Sequence, residues 1–152
     1  MRILLRLSLV ALALAFLMPL ATSKVSAQGK HPYYLHALSD LRTARAHLQH
    51  PDGGALRVEE TEAIEEIDKA VNEIKRAAID DGKNIDDHVP VDKKLDWTGR
   101  LHRSRELLDK AHSDVAQEED DPAIRGLQAR VLDHIDKAHH HVDEAIAIVE
   151  TH

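Results

Sequence analysis

The chain has 152 residues, 31% of them charged, a formal net charge of −7 and no cysteine. These values exclude disulfide scaffolds and thiolate metal sites, and the acidic balance argues against binding nucleic acid or anionic lipid through bulk charge. Histidine is enriched instead, with 12 residues that all fall between His31 and His152. Because imidazole titrates near neutral pH and binds first-row metals, this enrichment points to metal or proton chemistry.

Residues 1–27 have the features of a cleavable export signal. A positively charged start precedes an apolar stretch at 7–17 that is short for a membrane span, and small residues lead to a cut after Ala27. A retained membrane anchor is the alternative. Cleavage would remove three basic and no acidic side chains, leaving a domain of residues 28–152 with a charge of −10. We expect this domain to be periplasmic or secreted, without membrane insertion.

Apolar residues downstream recur with a helical period and predict four helices. The first covers 32–49, the second 56–80 and the third 96–118, and the fourth begins at Asp121-Pro122, an N-cap followed by proline. No segment alternates like a strand, so the predicted fold class is all-α, an up-down-up-down four-helix bundle. The side chains predicted to face its core are Tyr34, Leu38, Leu41, Leu48, Ile64, Ile67, Val71, Ile74, Ala78, Leu101, Leu108, Ala111, Val115, Leu127, Val131, Ile135, Ala138, Val142, Ala145 and Val149.

The second and fourth helices resemble each other. The sequence Ile-Asp-Lys-Ala at 67–70 recurs at 135–138, an offset of 68, and the first and third helices match more weakly at an offset of 66. This pattern predicts a helical hairpin duplicated in tandem, and a shared acidic amphipathic composition is the alternative. In this alignment the counterparts of His134 and His141 are Glu66 and Glu73.

The fourth helix carries the densest group of candidate metal ligands. At about 100° per residue, His134 and His141 lie on one flank of the apolar stripe. His139 lies on the other flank and His140 points to solvent. Carboxylates one turn away can complete a ligand set for a divalent ion, although flank positions can also be polar for solubility alone. The candidate ligands in this helix are His134, Asp136, His139, His140, His141 and Asp143.

Two further candidate pairs lie on the first and third helices. His36 stands four residues before Asp40, and His102 stands four residues before Glu106. Each pair can share a cation, and each can equally be an ordinary helix-stabilising pair. The histidines of the first helix that are predicted to face solvent are His36, His47 and His50.

Catalytic motifs are absent, and we do not expect an enzyme. Two Asp-Lys-Ala-His sequences, at 109–112 and 136–139, come nearest to the Glu-x-x-His pairs of di-iron bundles. Their carboxylates are predicted to lie on the polar side, which argues against an interior di-iron site. Covalent haem, zinc-protease, phosphate-loop and nucleophile-elbow motifs do not occur.

The segment at 134–146, with its run of three histidines among Asp, Glu and Ala, resembles the His-rich repeats of the small metal-binding protein family. The resemblance implies an exported, cysteine-free four-helix bundle that takes up copper and other divalent ions. This chain departs from the family pattern in two places: its second helix has no histidine, and it has a long acidic connection at 81–95.

The pattern as a whole predicts reversible buffering or scavenging of Cu(II), Zn(II) or Ni(II) through surface His and Asp/Glu. Metal ions would be the partners, nucleic acid would not, and a homodimer is compatible with the pattern. Uptake of metal ions should fall as the imidazoles protonate, at about pH 5 to 6. The alternative is an envelope stress or interaction protein whose His-rich surface makes its charge pH-sensitive.

Overall fold

The computed structural model describes residues 31–49, 57–77, 79–118 and 122–151. Four α-helices form it: α1 (Pro32–Leu48), α2 (Val58–Arg76), α3 (Trp97–Gln117) and α4 (Leu127–Glu150), with a short 3-10 turn at Pro122–Ile124. No strand occurs in these ranges, and the prediction of an all-α four-helix bundle is confirmed. The predicted export signal lies outside the described residues, as do His50, Ala78 and Asp121.

Local contacts explain where α3 and α4 begin. The Asp96 carboxylate accepts a hydrogen bond of 2.8 Å from the backbone N–H of Gly99 and so caps α3. α4 starts later than predicted, because Pro122 begins only the 3-10 turn. Gly126 follows with a φ of 76°, a left-handed conformation that glycine adopts readily and that interrupts a helix. The chain therefore turns at Gly126 before α4 begins.

The core is aliphatic and confirms the predicted pattern. Of the predicted positions that are described, only Val149 is partly exposed, and all the others are buried. Ala37, Ala44, Ala63 and Ala70 are also fully buried, which lets the helices approach closely. No helix in the described ranges combines the length and the apolar character needed to cross a membrane.

End-to-end contacts define the helix directions. Glu118, immediately after α3, contacts His31 at the start of α1, so these two helices are antiparallel. Trp97, the first residue of α3, donates its indole N–H to Glu60 in the first turn of α2, so α2 and α3 are parallel. The first turn of α4 contacts the last turns of both α2 and α3. α4 is thus antiparallel to each of them.

The helix order therefore differs from the expected up-down-up-down bundle and is up, down, down, up. α1 packs most extensively on α3, and α2 on α4, while α2 and α3 lie on a diagonal. Because α2 and α3 are parallel, the chain must travel back along the bundle between them. α2 has 19 residues and is about 28 Å long, a distance that the crossover segment, residues 79–96, spans. The return path explains why this connection is long.

The crossover segment runs along α1 and is held there by ion pairs. The Arg42 guanidinium, which is fully buried, binds the Asp81 carboxylate through two hydrogen bonds. Further along, Arg45 Nη1 donates to Asp86 at 2.8 Å. Val89 is exposed to solvent. Ion pairs with Arg42 and Arg45, rather than packing of valines, hold this part of the crossover segment on α1.

Candidate metal-binding site

The four histidines of α4 lie on three faces of the helix. His134 and His141 contact carboxylates of α2, whereas His139 contacts a carboxylate of α3. His140 has a side chain that is 70% exposed. The predicted flanks are confirmed, but the expected ligand group is divided between two lines of helix contact. We call these the α3–α4 seam (Asp109, His112, Asp136, His139 and Asp143) and the α2–α4 seam (Glu62, Glu66, His134, His141 and Glu144).

The α3–α4 seam joins the two Asp-Lys-Ala-His sequences. His139 Nε2 lies 3.1 Å from Asp109 Oδ1, and His112 Nε2 lies 3.3 Å from Asp136 Oδ1. Because the two helices are antiparallel, the aspartate of each sequence meets the histidine of the other. His139 Nδ1 also lies 3.2 Å from Asp143 Oδ2, one turn further along α4. Two imidazoles and three carboxylates thus line a single stretch of the seam.

This part of the seam is a shallow surface depression. It encloses about 210 Å³, with Leu108 and Ile135 contributing to its lining. The side chains of Asp109 and Asp136 are 65% and 66% exposed, so their carboxylates can rotate within it. The carboxylates lie on the polar side of their helices, as predicted, and do not point into the bundle. A dissolved ion can therefore reach both imidazoles from solvent.

The α2–α4 seam holds a second set of imidazole–carboxylate contacts. His134 Nδ1 lies 2.7 Å from Glu66 Oε2. His141 Nδ1 lies 3.2 Å from Glu62 Oε2 and 3.5 Å from Glu144 Oε2. Neither contact of His141 has hydrogen-bond geometry, and its Nδ1 atom is buried without a hydrogen-bond partner. The His134 and His141 side chains are 21% and 23% exposed, so both imidazoles of this seam are mostly covered.

His36 and Asp40 do not contact each other among the described residues, and their role as metal ligands stays a prediction. Asp40 Oδ2 instead contacts the Lys110 ammonium on α3 at 3.0 Å, because the neighbouring helix brings a permanent positive charge to this carboxylate. His36 remains exposed beside Asp114, whose pKa is raised by burial against a weaker opposing effect of His36. The Lys110 ammonium therefore lies next to Asp40, where a metal ion shared with His36 was expected.

His102 and Glu106 likewise do not contact each other among the described residues, and their role as metal ligands stays a prediction. His102 Nε2 lies 3.2 Å from Glu150 Oε1 at the end of α4, and Glu106 accepts a hydrogen bond of 2.6 Å from Arg103. An arginine carries its charge at every physiological pH and competes well for a carboxylate against a neutral imidazole. His102 and Glu106 are one helical turn apart on α3, but each side chain has a different partner.

His47 departs from its predicted exposure to solvent. It was predicted to face solvent, but it is only 4% exposed. The side of α1 opposite the main apolar stripe is therefore not open at this position, and charged groups of α3 and of the crossover segment lie near enough to shift the pKa of the imidazole. Helical periodicity alone contains no information about a non-helical segment that packs onto the polar face.

His112, Asp109 and Glu62 are partners of the α4 candidate ligands that the pattern within one helix does not identify. The repeated Asp-Lys-Ala-His sequence is a signal for the first two, although by itself it suggests only a comparison with an interior di-iron site. In the conformation of the described residues, no three His, Asp or Glu side chains are gathered as a ready metal site. The α3–α4 seam consists of contacts in pairs, and its carboxylates must turn to share one ion.

No protein-family model, curated protein or solved structure matches this chain. The likeness of residues 134–146 to the small metal-binding protein family therefore stays a prediction. Functional interpretation depends on the seam geometry together with the sequence pattern.

Proposed function

We propose that this protein is exported and binds Cu(II), Zn(II) or Ni(II) reversibly, as a buffer or scavenger of these ions. The observation that supports the proposal most directly is the reciprocal contact of the two Asp-Lys-Ala-His sequences across the α3–α4 seam. His112 meets Asp136 and His139 meets Asp109, so four potential ligands from two helices lie along one depression. Imidazole nitrogen and carboxylate oxygen are ligands that all three ions accept.

The spacing of these contacts suits neighbouring ligands of one ion. Ligands bound at about 2.0–2.2 Å and roughly 90–110° apart lie about 2.8–3.6 Å from each other. The two reciprocal contacts, at 3.1 and 3.3 Å, fall in this range. A hydrogen bond has a similar length, so a proton and a metal ion would compete for the same imidazole nitrogen.

The site would bind with modest affinity and exchange its ion. An ion must draw the exposed carboxylates of Asp109 and Asp136 together, and ordering them costs conformational entropy. Arg105 Nε lies 3.1 Å from Asp143 and competes for that carboxylate. The acidic charge of the chain favours the approach of cations without fixing them. These properties fit a buffer better than a structural metal site, which holds its ligands closed around the ion.

The test is a calorimetric titration of the exported protein at neutral pH with each ion, with native mass spectrometry to count bound ions and protomers. The variant His112→Gln/His139→Gln removes the seam imidazoles. The control, His88→Gln, removes an exposed imidazole of the crossover segment that contacts no carboxylate of the described residues. We expect the seam variant to weaken the tightest site about tenfold or more and the control to leave it unchanged. No uptake of any of the three ions, or an equal loss in both variants, would contradict the proposal.

The alternative, a pH-sensitive interaction protein of the envelope, is favoured by a different observation. Imidazole–carboxylate contacts join α1 to the end of α3, α2 to α4, and α3 to α4. Capture of partners at about pH 5.5 and 7.5, with and without chelator, separates the two functions. Dependence on pH that survives the chelator supports the interaction protein, and dependence on metal supports the buffer.

A further inference from the structure

His47 is a buried imidazole that contacts no carboxylate among the described residues. It lies in the last turn of α1, is 96% covered, and its Nδ1 atom has no hydrogen-bond partner. Most of the other described histidines contact a carboxylate, and His47 does not. A buried polar atom without a partner costs free energy, so this position calls for a functional explanation.

The charges around His47 come from two elements. α3 contributes Arg100 and Arg103, and the crossover segment contributes His88 and Asp92. Burial lowers the pKa of His47, the Arg103 and Arg100 guanidinium groups and His88 lower it further, and Asp92 only partly opposes them. The closed structure therefore accepts the neutral imidazole and disfavours the protonated one.

The crossover segment is fastened unevenly along α1. Its first part is anchored because Asp81 binds the buried Arg42 and Ile79 is buried in the core. Partial burial raises the pKa of Asp81, but the hydrogen bonds from Arg42 and from the Lys83 backbone outweigh it and hold the pKa below its ordinary value. This anchor stays ionised under mildly acidic conditions. The later part, residues 88–95, has only exposed and half-exposed side chains.

We propose that His47 acts as a proton-operated latch: residues 88–95 of the crossover segment stay closed against α1 and α3 while the buried imidazole is neutral, and they open to water when it takes up a proton. An imidazolium near two guanidinium groups and without an acceptor needs water. Residues 88–95 have no buried side chain, and besides the hydrogen bond of 3.2 Å from Arg100 Nη1 to the Leu95 carbonyl little opposes their movement to admit it. The Arg42–Asp81 anchor keeps the rest in place, so the bundle stays folded. The latch stands independently of metal binding.

The test is hydrogen–deuterium exchange of the full exported protein at about pH 7.5 and 5.5 without metal, corrected for the intrinsic effect of pH. We expect amides at 88–95 to exchange about tenfold faster at the lower pH, while amides at 79–82 and in α2 and α4 keep their protection. In His47→Gln, which cannot gain the charge, residues 88–95 should show no such acid response. The matched control His88→Gln removes an exposed imidazole that acts on His47 electrostatically, and this variant should keep the acid response.

A second measurement covers the case in which His47→Gln does not fold. The imidazole resonances of the wild-type protein are titrated by NMR together with the amides of residues 88–95. We expect the amides to shift with the same midpoint as His47, and that midpoint to lie below the ordinary histidine value of about 6.5. Amides that follow another histidine, or that do not respond at all, would overturn the latch. An acid response that persists in a folded His47→Gln variant would overturn it as well.

Discussion

Glu66 and His134, which are equivalent positions of the predicted repeat, contact each other, with Oε2 and Nδ1 2.7 Å apart. A residue can meet its own counterpart only near an axis that relates the two halves. The neighbouring contacts agree: Glu73 binds Arg130, and their counterparts, His141 and Glu62, also contact each other. The α2–α4 seam is therefore built around an approximate two-fold axis.

This symmetry predicts that Glu66 and His134 can be exchanged. Glu66→Gln should lower the free energy of unfolding by about 1 kcal/mol near pH 7, because a partly buried hydrogen bond to an ionised group is lost. The double variant Glu66→His/His134→Glu restores the same pair across the axis and should lie within about 0.5 kcal/mol of the wild type. Urea unfolding measures both. A double variant less stable than the single one would contradict the two-fold arrangement.

The loss from Glu66→Gln should depend on pH. Burial raises the pKa of Glu66, but the hydrogen bonds from Lys69 and His134 outweigh it and hold the pKa below its ordinary value. A carboxyl group with a lowered folded-state pKa contributes stability that is present above its unfolded-state pKa and is lost as pH falls through the folded-state value. The difference between wild type and variant should therefore shrink in urea unfolding below about pH 4.5.

The Arg42–Asp81 pair should be the most sensitive ion pair of the crossover segment. Asp81→Asn leaves a fully buried guanidinium without its counter-charge, and we expect a loss of about 3 kcal/mol in the free energy of unfolding. Asp80→Asn is the matched control, since this neighbouring carboxylate is exposed. Thermal and urea unfolding at neutral pH measure the two. Equal effects would show that Asp81 does not anchor the segment.

Removing carboxylates from the α3–α4 seam should separate metal binding from folding. Asp109→Asn/Asp136→Asn should change the metal-free stability by less than about 1 kcal/mol, because both side chains are largely exposed. The rise in Tm on adding Zn(II) should fall, since stabilisation by a ligand follows its affinity. Asp133→Asn is the control: Asp133 pairs with Lys137 on the outer face of α4. An undiminished metal-induced rise in the seam variant would exclude these carboxylates as ligands.

The stability of the whole bundle should fall on acidification because of His47. Its folded-state pKa is lowered by burial and by the nearby guanidinium groups, so the unfolded chain binds the proton more readily. The contribution is complete above the unfolded-state pKa, about 6.5, and is lost as pH falls toward the folded-state value. In urea unfolding, His47→Gln should have a flatter profile between about pH 6.5 and 5 than the wild type. A parallel decline in both would assign the effect to other groups.

Sequence periodicity alone determined the number of helices, their approximate bounds and nearly all of the core, because a buried stripe must repeat with the turn of the helix. It also determined the flanks of His134, His139 and His141 for the same reason. These properties depend only on angles within one helix.

Only the tertiary structure decided which helices are neighbours and which charges meet. Helical periodicity is the same whether α3 runs parallel or antiparallel to α2. The direction of α3 decides that Asp109 is the partner of His139, that Lys110 is the partner of Asp40 and that His47 is buried. The crossover segment fixes the direction through contacts such as Arg42 with Asp81, which join residues far apart in the chain. Partners across a seam are set by the relative placement of two helices, a property that neither helix carries by itself.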